Sequence, residues 1–191
     1  GQMLQWQIVE PEHDEERWVS LFMSGSRGFS HEQVRHKWRT AVSQRSTRYC
    51  DESETSWCEH PLVTQWRINR AYYYDDDQQL ITRARGEYHF MATELEVWLI
   101  LHGVDKLTAR KQARGAGSGY LGTALETGMI FSASIAQWQH MLRQRLNPAA
   151  DAEIRVIYAD VLRELKASRY SERFEEFTTK PSPDGIGVVL A

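Results

Sequence analysis

Residues 26–49 read SRGFSHEQVRHKWRTAVSQRSTRY, and the way this stretch divides into elements decides how the rest of the chain is arranged. Its second part, residues 35–49, carries Arg35, Lys37, Arg39, Arg45 and Arg48, together with His36 and the hydroxyls of Ser43, Ser46 and Thr47. No other segment is as dense in groups that bind phosphate. Guanidinium and ammonium groups supply charge-assisted donors, and short hydroxyl residues at a turn leave backbone N–H groups free. A solvated basic face has the same composition, so density alone leaves both readings open. Upstream, Ser30 suits an N-cap, and Gln33 three residues on completes a capping-box pattern, which predicts a short helix ending near Trp38. The basic stretch then begins at that helix's C-terminal end, where cations are favoured in any case, and continues as loop and strand.

On the N-terminal side, residues 4–9 (LQWQIV) alternate apolar with polar and predict a half-buried strand, followed by the acidic segment 10–17. Residues 18–23 (WVSLFM) predict a buried strand that Ser24, Gly25 and Ser26 end. On the C-terminal side, residues 50–77 read as irregular. Residues 78–102 repeat apolar positions at helical spacing (Leu80, Ala84, Tyr88, Met91, Leu95, Trp98), with Gly103 placed to terminate the longest helix. A second helix over residues 106–114 stops at GAGSGYLG (115–122). That run lacks the Lys-Ser/Thr ending of a phosphate loop and reads as a mobile loop. Residues 129–133 predict a strand or a first helical turn, residues 135–145 a helix broken by Asn147-Pro148, and residues 149–167 an amphipathic helix. Residues 179–191, with Pro181, Pro183, Gly185 and Gly187, predict a loosely held tail after a single domain over residues 1–178.

The 191 residues suffice for one domain with a sizeable core, and 41% apolar with 26% charged residues and seven Trp excludes a disordered chain. A net charge of −3 argues against a general nucleic-acid or membrane-surface binder, so any anion site is local. No apolar run is long enough to span a membrane and no signal pattern opens the chain, which makes the cytoplasm the expected compartment. Two cysteines, Cys50 and Cys58, are too few for a disulfide framework. With His60 they lack a fourth ligand for zinc, and the adjacent Asp75, Asp76 and Asp77 do not face one another, so no metal site is expected.

The two blocks SRGFSHEQVRHK (26–37) and SQRSTRY (43–49) resemble the signature of the flavin-dependent thymidylate synthases, an Arg-His-Arg triplet after a helix and then a Ser/Asn-Glu/Gln-x-Ser-x-Arg-Tyr ending. Arg35, His36 and Lys37 fall on the triplet, and Gln44, Ser46, Arg48 and Tyr49 on the ending. Lys37 stands where the family has Arg, and the spacer between the blocks is one residue longer than usual; a gap-free alternative puts His36, Lys37 and Trp38 on the triplet but breaks the match of Ser26, Arg27 and His31. Residues 121–155 resemble the family's C-terminal region through Trp138, His140, Arg145, Ala150, Asp151, Glu153, Ile154 and Arg155. GVDKLTAR (103–110) resembles a third, weaker block.

The resemblance implies an α+β fold, a single domain with a central mixed or antiparallel sheet and flanking helices. It also implies a homotetramer with active sites at subunit interfaces, while the net charge argues for no nucleic-acid and no membrane partner. The implied reaction is 5-methylation of the uracil of a nucleoside monophosphate, with FAD, methylene-tetrahydrofolate as carbon donor and NADPH as reductant. Substrate contacts then fall on Glu32, Gln44, Arg45, Ser46, Thr47, Arg48, Arg110 and Arg145. Arg48 and Arg110 clamp the phosphate over a backbone nest at Arg45, Ser46 and Thr47, with Arg114 the rival of Arg110. Arg145 meets the uracil ring and is the catalytic residue. Flavin contacts fall on His13, Arg35, His36, Lys37, Gln44, Ser134 and His140. Ser46 is assigned to substrate binding, since no base is visibly placed to activate it. Glu32 stands where the family often carries Gln facing the sugar, and a carboxylate accepts from two hydroxyls, so the expected enzyme is a UMP/dUMP 5-methylase of the kind found in nucleoside-antibiotic pathways. A catalytically inactive nucleotide-binding regulator of the same fold is the alternative.

Overall fold

In the computed structural model, residues 17–70 and 76–191 are described. The strand expected at residues 4–9, and His13, lie outside them. Strand β1 (Trp18–Ser26) pairs antiparallel with β3 (Glu126–Ser134) along its full length, from Trp18 opposite Ser134 to Ser26 opposite Glu126. Strand β2 (Thr40–Gln44) adds to the other edge of β3, so the sheet order is β1-β3-β2 and the sheet is antiparallel throughout. β1 continues through Ser24, Gly25 and Ser26, which were expected to end it.

Each long strand passes directly into a helix. Ser26 Oγ accepts from Phe29 N and caps α1 (Arg27–Gln33), and Ser134 Oγ accepts from Gln137 N and caps α5 (Ile135–Arg145). The cap expected at Ser30 is therefore displaced by four residues. Ser30 is buried, donates to the Arg27 carbonyl and accepts from Gln44 Nε2, which fastens α1 to β2. Ser26 prevails because its own N–H and hydroxyl both donate to Glu153, at 2.8 and 2.7 Å, so the chain is already anchored there.

The inner face of the sheet packs on α5 and α6 (Ala152–Ala167, capped by Asp151). Phe131, Trp138, Met141, Leu142, Tyr158 and Leu165 are fully buried in that core. Trp138 meets Phe131 edge to face and donates from its indole to the Val19 carbonyl. Tyr158 donates to Gln33 Oε1 at 2.8 Å, which pins the end of α1 to the core.

Three segments depart from expectation. Residues 50–77 are not irregular throughout, since α2 (Pro61–Arg70) forms with proline at its first position, where the missing N–H costs nothing, and His60 Nδ1 accepts from Leu62 N. The glycine-rich run is no loop at its start. Helix α4 (Lys106–Gly117) absorbs Gly115 and Gly117, and residues 118–120 add a 3₁₀ turn. The reason is close packing against α3 (Asp76–Leu101): a Cβ on Gly117 would lie 3.2 Å from the Tyr88 carbonyl oxygen and 3.4 Å from Ala92 N. Gly103, at φ +85°, ends α3 as expected, with Gly103 N bonded to Ile100 O and Val104 N to Leu99 O.

The tail expected to be loose forms a hairpin of β4 (Thr179–Pro181) and β5 (Val188–Leu190), with Val189 fully buried. Buried Arg155 holds it, bonding Asp184 and the Ile186 carbonyl on one side and the Ala150 and Pro148 carbonyls on the other. Among the described residues no helix is long and apolar enough to cross a membrane.

Gly117→Val is expected to lower stability by about 1–3 kcal/mol through overpacking at the α3–α4 contact. Gly119→Ala, where an added Cβ meets nothing within 4 Å, is expected to stay within about 0.5 kcal/mol of wild type. Urea midpoints of the two variants check the pair.

Candidate active site

Helix α1 ends in a tight turn, with Arg35 N donating to Glu32 O and His36 N to Gln33 O, and the Thr40 hydroxyl closes the next turn onto the His36 carbonyl at 2.6 Å. This places Glu32 and His36 beside the C-terminal end of α5, where Arg145 meets both. Arg145 Nε donates to His36 Nε2 at 3.0 Å, and its Nη2 reaches the Glu32 carbonyl at 3.4 Å and the Glu32 carboxylate at 3.6 Å. Arg35 closes on the other Glu32 oxygen at 2.7 Å.

Two concavities flank this cluster. A cavity of about 490 Å³ is lined by Glu32, Cys58, His60, Arg145, Asp151 and Glu153. A cleft of about 570 Å³ is lined by Arg35, His36, Lys37, Trp38, His140 and Gln144. Arg145 belongs to the first and His36 to the second, so their hydrogen bond is part of the wall between them.

Burial first, then the guanidinium of Arg145 and the neighbouring His140, lower the His36 pKa to about 4 against a weaker opposing effect of Glu32. The ring is therefore neutral near pH 7. In the cavity, burial and then the Glu126 and Glu153 carboxylates push the Cys58 thiol up to about 11, so it is a protonated wall and not a nucleophile. His60 Nε2 lies 3.0 Å from Asp151, the residue that caps α6, while its Nδ1 accepts from Leu62 N.

The second part of the basic stretch faces elsewhere. Residues 46–50 form a turn in which Arg48 N donates to Ser46 Oγ, and Tyr49 N and Cys50 N donate to Ser46 O. The nest expected over Arg45, Ser46 and Thr47 shrinks, because Arg45 N is spent on the Gly128 carbonyl and the Arg45 side chain turns to Thr55 and the fully buried Glu52. Glu52 also takes Thr55 at 2.6 Å and Arg27 at 3.5 Å, so this buried carboxylate holds two arginines, Arg27 and Arg45.

Of the two rivals for a phosphate clamp, Arg114 and not Arg110 reaches the turn. Arg114 donates to the Tyr49 carbonyl at 3.0 Å and to Asp51 at 3.1 Å, whereas Arg110 is paired with Glu96 of α3. Arg48 lies over Gly115, where an added Cβ would be 3.4 Å from its Cγ, and Lys111 sits 4.6 Å from the Tyr49 ring. Arg48, Lys111 and Arg114 thus converge on one turn.

Ser134, expected at a cofactor, is fully buried as the α5 cap and faces neither concavity. Gln44 donates to Ser30 and Thr127, so its amide nitrogen serves the fold. The structure brings together Glu32, Arg35, His36, Lys37, His140 and Arg145, and it sets Ser46, Thr47 and Arg48 apart from them. Sequence reasoning reached Trp38 only through the gap-free alternative for the triplet, and missed the pairing of His60 with Asp151 and the place of Lys111. The three-residue spacing of Lys111 to Arg114 on a helix was the one available signal.

The low His36 pKa carries a stability consequence. The folded-state value lies below the ordinary value of 6.5, so between the two the unfolded chain binds the extra proton. The contribution is fully present above 6.5 and is lost as pH falls towards 4. His36→Gln is expected to flatten that part of the stability–pH curve, as measured by denaturant midpoints at a series of pH values.

Residues 19–168 match the family described as Thymidylate synthase complementing protein. The flavin-dependent thymidylate synthase of Mycolicibacterium gilvum (strain PYR-GCK) is 30% identical over 181 residues, covering 91% of this chain and 67% of that protein. That of Mycobacterium avium (strain 104) is 31% identical over 180 residues with the same coverage, and that of Mycobacterium marinum (strain ATCC BAA-535 / M) is 30% identical over 181. With more than half its length matched and the Arg145, His36 and Glu32 cluster assembled from the two resembling blocks, the chain belongs to the thymidylate synthase complementing protein family.

Proposed function

We propose that the chain catalyses flavin-dependent 5-methylation of the uracil ring of a nucleoside monophosphate, with methylene-tetrahydrofolate as carbon donor and NADPH as reductant. The observation that carries this reading is Arg145. Its Nε and Nη2 are held by His36 and Glu32, so the guanidinium is fixed in the cavity wall with further donors left for a ligand. A fixed cation there stabilises negative charge that develops on a uracil ring when its C5 acts as the nucleophile. Family membership and the names of the related synthases support the choice of reaction.

The cleft beside it fits a flavin dinucleotide in its donor set. Arg35 and Lys37 offer cations suited to a pyrophosphate, and Trp38, 59% exposed, offers an aromatic face to a planar ring. A bound flavin supplies the redox chemistry, and the residues of the chain supply binding and orientation. Arg48, Lys111 and Arg114 gather positive charge at the Ser46 turn for the nucleotide phosphate.

Glu32 supports a substrate with ribose as well as deoxyribose. Its carboxylate lines the cavity, and its two oxygens accept hydrogen bonds that sugar hydroxyls donate, two of them where the sugar is ribose. UMP and dUMP are both substrates in this reading. A homotetramer is part of the proposal, supported by α3, which leaves Phe90, Val97, Trp98 and Leu101 more than half exposed, and by the separation of the phosphate turn from the Arg145 cavity within one chain.

Three measurements test the reading. The purified protein is expected to be yellow with bound flavin, and a colourless protein that binds UMP would favour the inactive regulator. UMP and dUMP are expected to give kcat/KM values within about a hundredfold of each other, and Glu32→Gln to move the ratio towards dUMP. Arg145→Lys is expected to lower kcat by about a hundredfold, because a lysine keeps the charge but not the Nε and Nη2 anchoring.

A further inference from the structure

The contact between Arg145 and His36 constrains protons. A guanidinium carries all its hydrogens at any ordinary pH, so in an Nε to Nε2 bond of 3.0 Å the imidazole nitrogen must accept. His36 therefore holds its own proton on Nδ1 and is uncharged. The groups that face it agree with that state. Arg145 and His140 approach from α5, Glu32 approaches from α1, and Arg35 and Lys37 flank it in the chain. An imidazolium set among those cations would repel Arg145 and would have no lone pair on Nε2 to offer it.

The geometry also fixes what this bond does for Arg145. The Glu32 contacts, at 3.4 and 3.6 Å, are long, whereas the His36 contact has ordinary hydrogen-bond length. His36 is thus the main restraint on the guanidinium plane, and it is applied from outside the cavity that Arg145 lines.

We propose that His36 is a positioning residue that, as a neutral Nδ1–H imidazole, orients the Arg145 guanidinium for a uracil nucleotide in the adjoining cavity. This rests on the reading of that cavity given above and assigns His36 a task separate from any contact with a flavin. The role needs a lone-pair acceptor at the end of a side chain of about this length, so a glutamine carbonyl preserves it. An alanine removes it, and a lysine opposes it with a fixed charge.

The test uses the full chain as purified, with UMP and dUMP titrated calorimetrically into wild type, His36→Ala, His36→Gln and His36→Lys, beside a flavin absorbance spectrum of each. His36→Ala is expected to weaken nucleotide binding about tenfold or more, the size of a lost hydrogen bond to a charged group, with His36→Gln restoring most of it and His36→Lys weaker than alanine. Loss of binding in His36→Ala and His36→Gln alike would overturn the proposal, as would wild-type affinity in His36→Ala. A wild-type protein that binds neither nucleotide overturns the reading of the cavity and this proposal with it. A second measurement needs no binding: nitrogen-15 spectra of the wild-type imidazoles, assigned with His36→Gln, are expected to show His36 as the Nδ1–H tautomer at neutral pH. An imidazolium or an Nε2–H tautomer there would refute it.

Discussion

One carboxylate decides where the functional part of the chain lies. Glu153, in the first turn of α6, accepts from both the N–H and the hydroxyl of Ser26, and the Ser26 oxygen in turn accepts from Phe29 N. The end of β1, the start of α1 and the start of α6 are thereby tied at one point. Gln33, at the other end of α1, is held by Tyr158 of the same α6. With both ends of α1 referenced to α6, Glu32 and the turn at residues 34–36 have little freedom of their own. Arg145 can then be met by Glu32 and His36 without a long flexible reach. Burial of Tyr158, whose hydroxyl pKa is raised chiefly by desolvation, keeps that second tie as a neutral hydrogen bond.

The basic character of residues 35–49 conceals two different uses of positive charge. Arg45 belongs to the fold, since the buried Glu52 requires cations and takes Arg45 and Arg27. A buried carboxylate of this kind adds little net stability over an apolar substitute, but removal of one member leaves a costly unpaired charge. Arg48, Lys111 and Arg114 form a separate surface group at a turn. Arg35 and Lys37, with His36 between them, line a cleft. The net charge of −3 for the whole chain is compatible with such local concentration because Glu32, Glu52, Asp51 and Glu96 each sit against one of these arginines or its neighbours.

The parts of this arrangement that could be read in advance share a property: their signal is local. The α5 boundaries follow from apolar spacing and the Asn147-Pro148 break, β1 from a short apolar run, and the end of α3 from Gly103, while the run at residues 129–133 suits a strand as well as a first helical turn. What could not be read depends on contacts between distant residues. Ser30 carries a better local capping pattern than Ser26, and only Glu153, 127 positions away, reverses the order. Gly115 and Gly117 look like a loop until Tyr88 and Arg48 are placed against them. Residues 179–191 look unanchored until Arg155 finds Asp184. The same holds at the site. The family resemblance placed Arg145, His36 and Glu32 in one region, but that Arg45 pairs with Glu52 and Ser134 caps α5, and that Arg114 and not Arg110 meets the Ser46 turn, required contacts in three dimensions.

The spacer between the two blocks has a structural role of its own. Arg39 adopts φ +48°, a left-handed conformation that costs a non-glycine residue roughly 1 kcal/mol, directly after the exposed Trp38 and before β2 begins at Thr40. The Thr40 hydroxyl bond to the His36 carbonyl encloses this turn. The turn therefore does two things at once. It reverses the chain from the cleft into the register of β2 on β3, Thr40 opposite Ala133, and it holds Trp38 at the cleft, where its guanidinium neighbour Arg39 stacks 4.8 Å from the ring. The strained residue stands next to an aromatic surface presented beside Arg35, His36 and Lys37. The spacer is thus part of the wall of the cleft, and the His36 to Arg145 link lies beside the aromatic surface that Trp38 presents there.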